Sequence, residues 1–314
     1  MVTHDGLDQN RRMDTPVETR EAALQRYLAT GDCHDAPRWA GASFLEAARN
    51  AAAFLREGLV TETLARLAAR PVPVLPLKGD LAPWVRRKVS PMVEGLFPAT
   101  ERPVVLALLK RSVVFVGPGN IEAVLRSGLW PHTAWSLANM VLAAADCEPL
   151  SEDGTACVGL SEETTCFVSQ AYFAEEDPFA DFVVHEAAHV FHNCKRATIG
   201  LAATRRREWL LDIDFHRRET FAYACEAYSC ILALGDTPAR RLLALQQHAQ
   251  GPLPGDSVVD VDEYLDILGE AVRARNGWKC ILRRCAPARQ PKAIPAEVSA
   301  DASIQPFGRA PLLP

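Results

Sequence analysis

The residues best suited to chemistry stand between positions 185 and 228. His185-Glu186-Ala187-Ala188-His189 sets two imidazoles at i and i+4, with a carboxylate directly after the first. On a helix those two positions lie one above the other. Both rings can then reach one Zn²⁺ at about 2.0–2.1 Å. Glu186 is turned off that line, beside the ion, where it can act as general base on a zinc-bound water. A catalytic zinc site takes three protein ligands and keeps one position open, so one more ligand is needed from elsewhere in the chain. Glu219 and Glu226 stand two turns apart on one helix face. Two turns advance about 10 Å, so both cannot bind one ion.

The surroundings fit a buried helix. Phe182-Val183-Val184 and Val190-Phe191 flank the motif, and both intervening residues are alanine. His192 shares the face of the two histidines and is expected at the rim or behind a ligand ring. His216 and Tyr223 flank Glu219 on its own face, and Tyr223 is a candidate donor to a developing oxyanion. Asp212 and Asp214 are candidates to orient a ligand histidine.

The stretch from His185 to His189 resembles the active-site helix of the zincin metallopeptidases. It differs from the metzincin branch, because His192 and Lys195 stand where that branch has a glycine and a third histidine. Glu219-Thr220-Phe221-Ala222 is similar to the third-ligand helix of the gluzincin branch, which includes the anthrax lethal factor catalytic domain. The resemblance covers about residues 155–235. It implies an α+β fold, a mostly helical zincin-like metallopeptidase with a small mixed sheet. It also implies Zn²⁺ on His185, His189 and Glu219, and hydrolysis of peptide bonds in a protein or peptide substrate. Glu226 is left to hold an imidazole N–H. The alternative is a catalytically silent zinc-binding regulatory or structural protein; the intact Glu186 argues against it, since a structural site needs no general base.

The elements that must position these groups are legible in part. Thr15-Pro16-Val17-Glu18 is a capping box opening a helix that stops at Gly31, and Ser43 with Glu46 opens a second that ends at Gly58. Val72 to Leu75, set among prolines, suits an edge strand. Residues 112–116 read as a strand and Asn120 as a cap. A helix covers 134–145. Residues 155–160 and 165–169 read as a hairpin joined through Ser161–Thr164, and the second strand is expected at the cleft edge, where an extended peptide can pair. Asp177-Pro178 opens the motif helix. Helices are expected at 218–234, 237–250, 261–275 and 278–284. The chain divides into an N-terminal helical region (1–70), a zincin-like metallopeptidase domain with a C-terminal helical cap (71–285) and a Pro-rich tail (286–314) expected to be disordered.

Composition excludes several classes. The 314 residues carry 34 Lys and Arg against 39 Asp and Glu, a net charge of −5, which argues against broad nucleic-acid binding. No apolar run is long enough to span a membrane, and the N-terminus lacks a signal-peptide core, so a cytoplasmic location is expected. Nine cysteines without a CxxC pair read as reduced core thiols.

Overall fold

Three short strands, covered by helices on both faces, organise the chain, which the computed structural model describes over residues 19–33, 39, 41–69, 80–151, 157–203 and 207–288. The Thr19 hydroxyl accepts the N–H of Ala22 and starts α1 (Arg20–Thr30). Gly31 closes it at φ 73°, a left-handed conformation that suits glycine. The cap expected at Thr15–Glu18 lies outside the described residues, as do the extended segment at 72–75 and all but the first residues of the tail. Ser43 caps α2 (Phe44–Ala68). This helix does not end at Gly58. It runs on because Gly58 is a crossing point: a Cβ there would stand 2.3 Å from Leu24 Cδ1 of α1.

Residues 82–112 form two helices that the sequence reading did not anticipate, α3 (Ala82–Leu96) and α4 (Arg102–Ser112). Their prolines explain the miss. Pro83 and Pro103 sit in first turns, where a missing N–H costs nothing, and only Pro91 lies inside a helix. The buried face of α3, Val85, Val89, Met92, Val93 and Leu96, repeats at helical spacing.

α4 leads into β1 (Val113–Val116), followed by α5 (Ile121–Leu125), α6 (Pro131–Ala144), β2 (Gly159–Glu162) and β3 (Thr165–Ser169). The strand order is β1-β3-β2, with β1 parallel and β2 antiparallel to β3. The hairpin link is shorter than expected. Ser161 and Glu162 pair with Cys166 and Thr165, leaving Glu163 and Thr164 as the turn, with Glu163 at φ 50°. β3 is therefore the central strand, hydrogen-bonded on both sides, and β2, not β3, is the free edge.

Side chains alternate across this sheet. Val113, Phe115, Cys166 and Val168 face a core built with α3, α4 and the later helices, whereas Val114, Val116 and Phe167 face a second core with α1, α2, α5 and α6. The motif helix, α7 (Phe182–Asn193), starts later than expected. Asp177 spends its carboxylate on the N–H of Phe179, and Asp181 is the residue that caps Val184. α8 (Arg218–Leu234), α9 (Pro238–His248), α10 (Val261–Arg273) and α11 (Gly277–Cys285) complete the fold. Thr237, Asp260 and Asn276 cap the last three of these. Helices thus dominate, with one small mixed sheet. All nine thiols are free, and seven are buried. No described helix is long and apolar enough to cross a membrane.

Candidate metal centre

α7 is buried from Val183 to Phe191, because β2, β3, α3 and α8 enclose it. His185, Glu186 and His189 are consequently 9%, 5% and 8% exposed. Polar groups at such depth need partners or a ligand. α8 packs directly on α7, with Ala222 and Ala227 buried, and its first turn presents Glu219 to the two histidines.

Three lone-pair atoms converge there. His189 Nε2 lies 3.2 Å from His185 Nε2 and 3.4 Å from Glu219 Oε2, and His185 Nε2 lies 3.9 Å from the same oxygen. The circle through these atoms has a radius of about 2 Å, the length of a Zn–N or Zn–O bond. Among the described residues this is the one group of three potential ligands drawn so closely together.

Glu226 does not join them. Its Oε2 accepts the Nδ1–H of His185 at 2.9 Å, which leaves the Nε2 lone pair of that ring facing Glu219 and His189. Its Oε1 accepts the backbone N–H of Asp181 at 2.7 Å. The Asp181 carboxylate in turn takes the Lys88 ammonium at 2.8 Å and the Tyr172 hydroxyl at 3.2 Å. A hydrogen-bonded chain therefore runs from α3 to the inner imidazole. His192 Nε2 stands 2.9 Å from His189 Nδ1, behind that ring.

The electrostatics describe a place made for positive charge. Burial works against a proton on His185, yet the hydrogen bond and charge of Glu226, with Glu186 and Glu219, lift its pKa to about 9. Burial also opposes ionisation of Glu219, but the hydrogen bond and charge of His189, with His185 and Arg218, pull it down to about 2. Burial lowers His189, and it drives His192 to about 4 with help from His189 and Arg218. Burial raises Glu186 to about 7, against the pull of His185.

Glu186 has a distinctive setting. Its Oε2 is buried and has no hydrogen-bond partner. Its Oε1 lies 2.6 Å from where a Cβ on Gly159 would stand, so the bare backbone of β2 is what makes room for the carboxylate. The groups open on a cavity of about 330 Å³ whose wall includes Gly159, Ser161, Asn193, Arg218 and Tyr223. The Tyr223 ring stands edge-on to His185, with centroids 4.5 Å apart.

Other candidates fall away from the cavity. His216 is exposed and packs against Phe215, because a short 3₁₀ turn at Phe215–Arg217 precedes α8 and breaks the helical register that would have put it beside Glu219. Asp214 caps that turn through the N–H of His216, and Asp212 is exposed. The carboxylate that orients a histidine is Glu226 instead.

Comparison with family models, with curated proteins and with solved structures finds no match for this chain.

Four contributors escaped the sequence reading. Gly159 carried a faint signal, a lone glycine inside a strand pattern, which marks close approach of another group. Arg218, Asp181 and Lys88 carried none; only the tertiary fold places them at the site.

Proposed function

We propose that the chain is a zinc-dependent metallopeptidase of the zincin type that hydrolyses peptide bonds of a protein or peptide substrate. The observation that carries this reading is the triangle of His185 Nε2, His189 Nε2 and Glu219 Oε2 beside a buried carboxylate oxygen without a partner. The donor set fits zinc: two imidazoles and one carboxylate, with a cavity on the fourth side.

When bound, zinc supplies Lewis acidity, polarising a carbonyl and making water a nucleophile at neutral pH. The chain supplies the rest. Glu186 takes the proton of the attacking water and returns it to the leaving amine, a task for which a pKa near 7 is well matched. Its unpartnered Oε2 is free to do so, which a purely structural site would not require. Burial and three neighbouring carboxylates raise the Tyr223 hydroxyl, so it stays protonated and can donate to the scissile carbonyl oxygen as charge builds there. β2 offers an edge for an extended substrate. The Val158 carbonyl accepts the Ser169 N–H at 2.8 Å, and antiparallel pairs alternate, so the backbone groups of Gly159 and Ser161 point away from β3. Both residues wall the cavity.

The test is a zinc-loaded full chain incubated with a complex peptide library, with new termini read by mass spectrometry and Glu186→Gln as control. Cleavage by wild type and none by the variant supports the reading. Zinc binding without any cleavage, unchanged in Glu186→Gln, favours the silent zinc-binding alternative.

A further inference from the structure

Among the described residues, Arg218 is the one arginine or lysine in the cavity wall. A guanidinium carries five N–H groups in a planar fork. Among the described residues, none of those of Arg218 makes a hydrogen bond. Glu219 Oε1 stands 3.7 Å from its Nε, an ion-pair contact beyond hydrogen-bond range. The guanidinium lies over the exposed ring of Phe215, its carbon 4.4 Å from the ring centroid. The side chain is 42% exposed, open to the cavity it lines.

Its position matters as much as its freedom. Glu219 points Oε2 at the two imidazoles and Oε1 at Arg218. The unused fork thus lies one carboxylate's width from the metal-binding triangle. Among the described residues, the same cavity holds no second lysine or arginine to share an anion. A guanidinium whose N–H groups make no hydrogen bond, beside the triangle, has the fork to receive a second carboxylate.

We infer that Arg218 recognises a carboxylate on the substrate close to the scissile bond, so that the substrates are peptides carrying an acidic group there. The carboxylate can belong to an aspartate or glutamate side chain or to the chain terminus. This inference rests on the metallopeptidase reading.

The test uses three small probes that anchor on zinc through a thiolate. Mercaptoacetyl-glutamate amide carries only a side-chain carboxylate, mercaptoacetyl-glutamine only a terminal one, and mercaptoacetyl-glutamine amide none. Calorimetry on the zinc-loaded full chain gives their affinities. One of the carboxylate probes is expected to bind about tenfold or more tightly than the neutral one, and which of them does so names the source. Arg218→Gln is expected to abolish that preference while keeping zinc affinity within a few-fold. Arg218→Lys, which keeps charge but lacks the fork, is expected to retain only part of it. Equal affinities on wild type overturn the proposal, as does a preference that survives Arg218→Gln. Loss of zinc from Arg218→Gln overturns it too, and makes Arg218 a support for Glu219. Zinc binding with no response to any thiol probe overturns it while leaving the metal triangle standing; failure of wild type to bind zinc removes the metallopeptidase reading itself.

Discussion

Glu226 grips His185 by Nδ1 at 2.9 Å with one oxygen and the N-cap of the same helix, the N–H of Asp181, at 2.7 Å with the other. One carboxylate on α8 therefore fixes both the tautomer of an imidazole and the start of the helix that carries it. Glu219, two turns earlier, faces the opposite nitrogens of the histidine pair. One glutamate closes the triangle of potential ligand atoms, and the other holds one of its imidazoles in register.

The first prediction follows from that division. Glu219→Ala removes a ligand atom and is expected to lower zinc affinity more than Glu226→Ala, for which about a 10–100-fold loss is expected. Competition with a zinc-sensitive chelator ranks the two. The reverse order would move the third ligand to Glu226 and leave the histidine pair unaffected.

Glu186→Gln isolates the proton-transfer role. Glutamine has nearly the same shape and accepts no proton, so activity is expected to fall by about 10²–10⁴-fold with zinc content unchanged. The metal-free variant should also be at least as stable as wild type, since a neutral amide replaces a buried carboxylate with an unsatisfied oxygen. Thermal melts of both apo proteins check this. A clearly lower melting temperature for the variant would mean that Glu186 has a structural partner among the residues around it.

The motif was legible because its chemistry is local. His185, Glu186 and His189 need only a helix to share a face, and the apolar flanks announced that the helix is buried. Glu219 required a second helix, and its choice over Glu226 rested on a resemblance; geometry separates them, because only one first turn of α8 lies level with His185 and His189. What the sequence hid depends on tertiary contacts. Gly58 looked like a helix stop and is a crossing point against Leu24. Prolines 83, 91 and 103 masked two helices that tolerate them. The central place of β3 is set by its parallel partner β1, which arrives from far along the chain. His216 fell out of the site because the chain enters α8 through a 3₁₀ turn.

A structural prediction concerns Glu101 and Arg196. Arg196 is 4% exposed and pairs with Glu101 at 2.6 Å, joining the start of α4 to the chain just after α7. That hydrogen bond holds the Glu101 pKa below its ordinary value. A depressed carboxylate pKa stabilises the fold above the unfolded-state value near 4.5, and that stability is lost as pH falls through the folded value. Glu101→Gln is expected to cost about 3 kcal/mol at pH 7, because the buried guanidinium loses its counter-charge and keeps only neutral acceptors such as the Ala202 carbonyl. Denaturant melts across pH should show wild type and variant converging as pH falls below the unfolded-state value near 4.5 and through the lower folded one. A gap that persists there would mean the loss comes from packing, not charge.

The last prediction tests how far the support of the metal centre reaches. Lys88 lies on α3, away from the cavity, yet its ammonium is 2.8 Å from the Asp181 carboxylate, which is only 3% exposed. Asp181 caps α7 with that carboxylate and holds Glu226 with its backbone N–H. Without the ammonium, the carboxylate is a buried charge left with the Tyr172 hydroxyl and one backbone N–H. It is then expected to turn toward solvent, which loosens the cap. The N–H that positions Glu226 moves with it, and His185 loses its fixed tautomer. Lys88→Met keeps the apolar stem and removes the charge, so it should weaken zinc binding although it touches no ligand. Lys88→Arg should retain most of it. The effect should also appear in the absorption spectrum of the cobalt-substituted chain, which reports ligand geometry and not overall stability. A Lys88→Met protein with wild-type zinc affinity and an unchanged cobalt spectrum would show that the chain from α3 ends at the helix cap and does not reach the metal site.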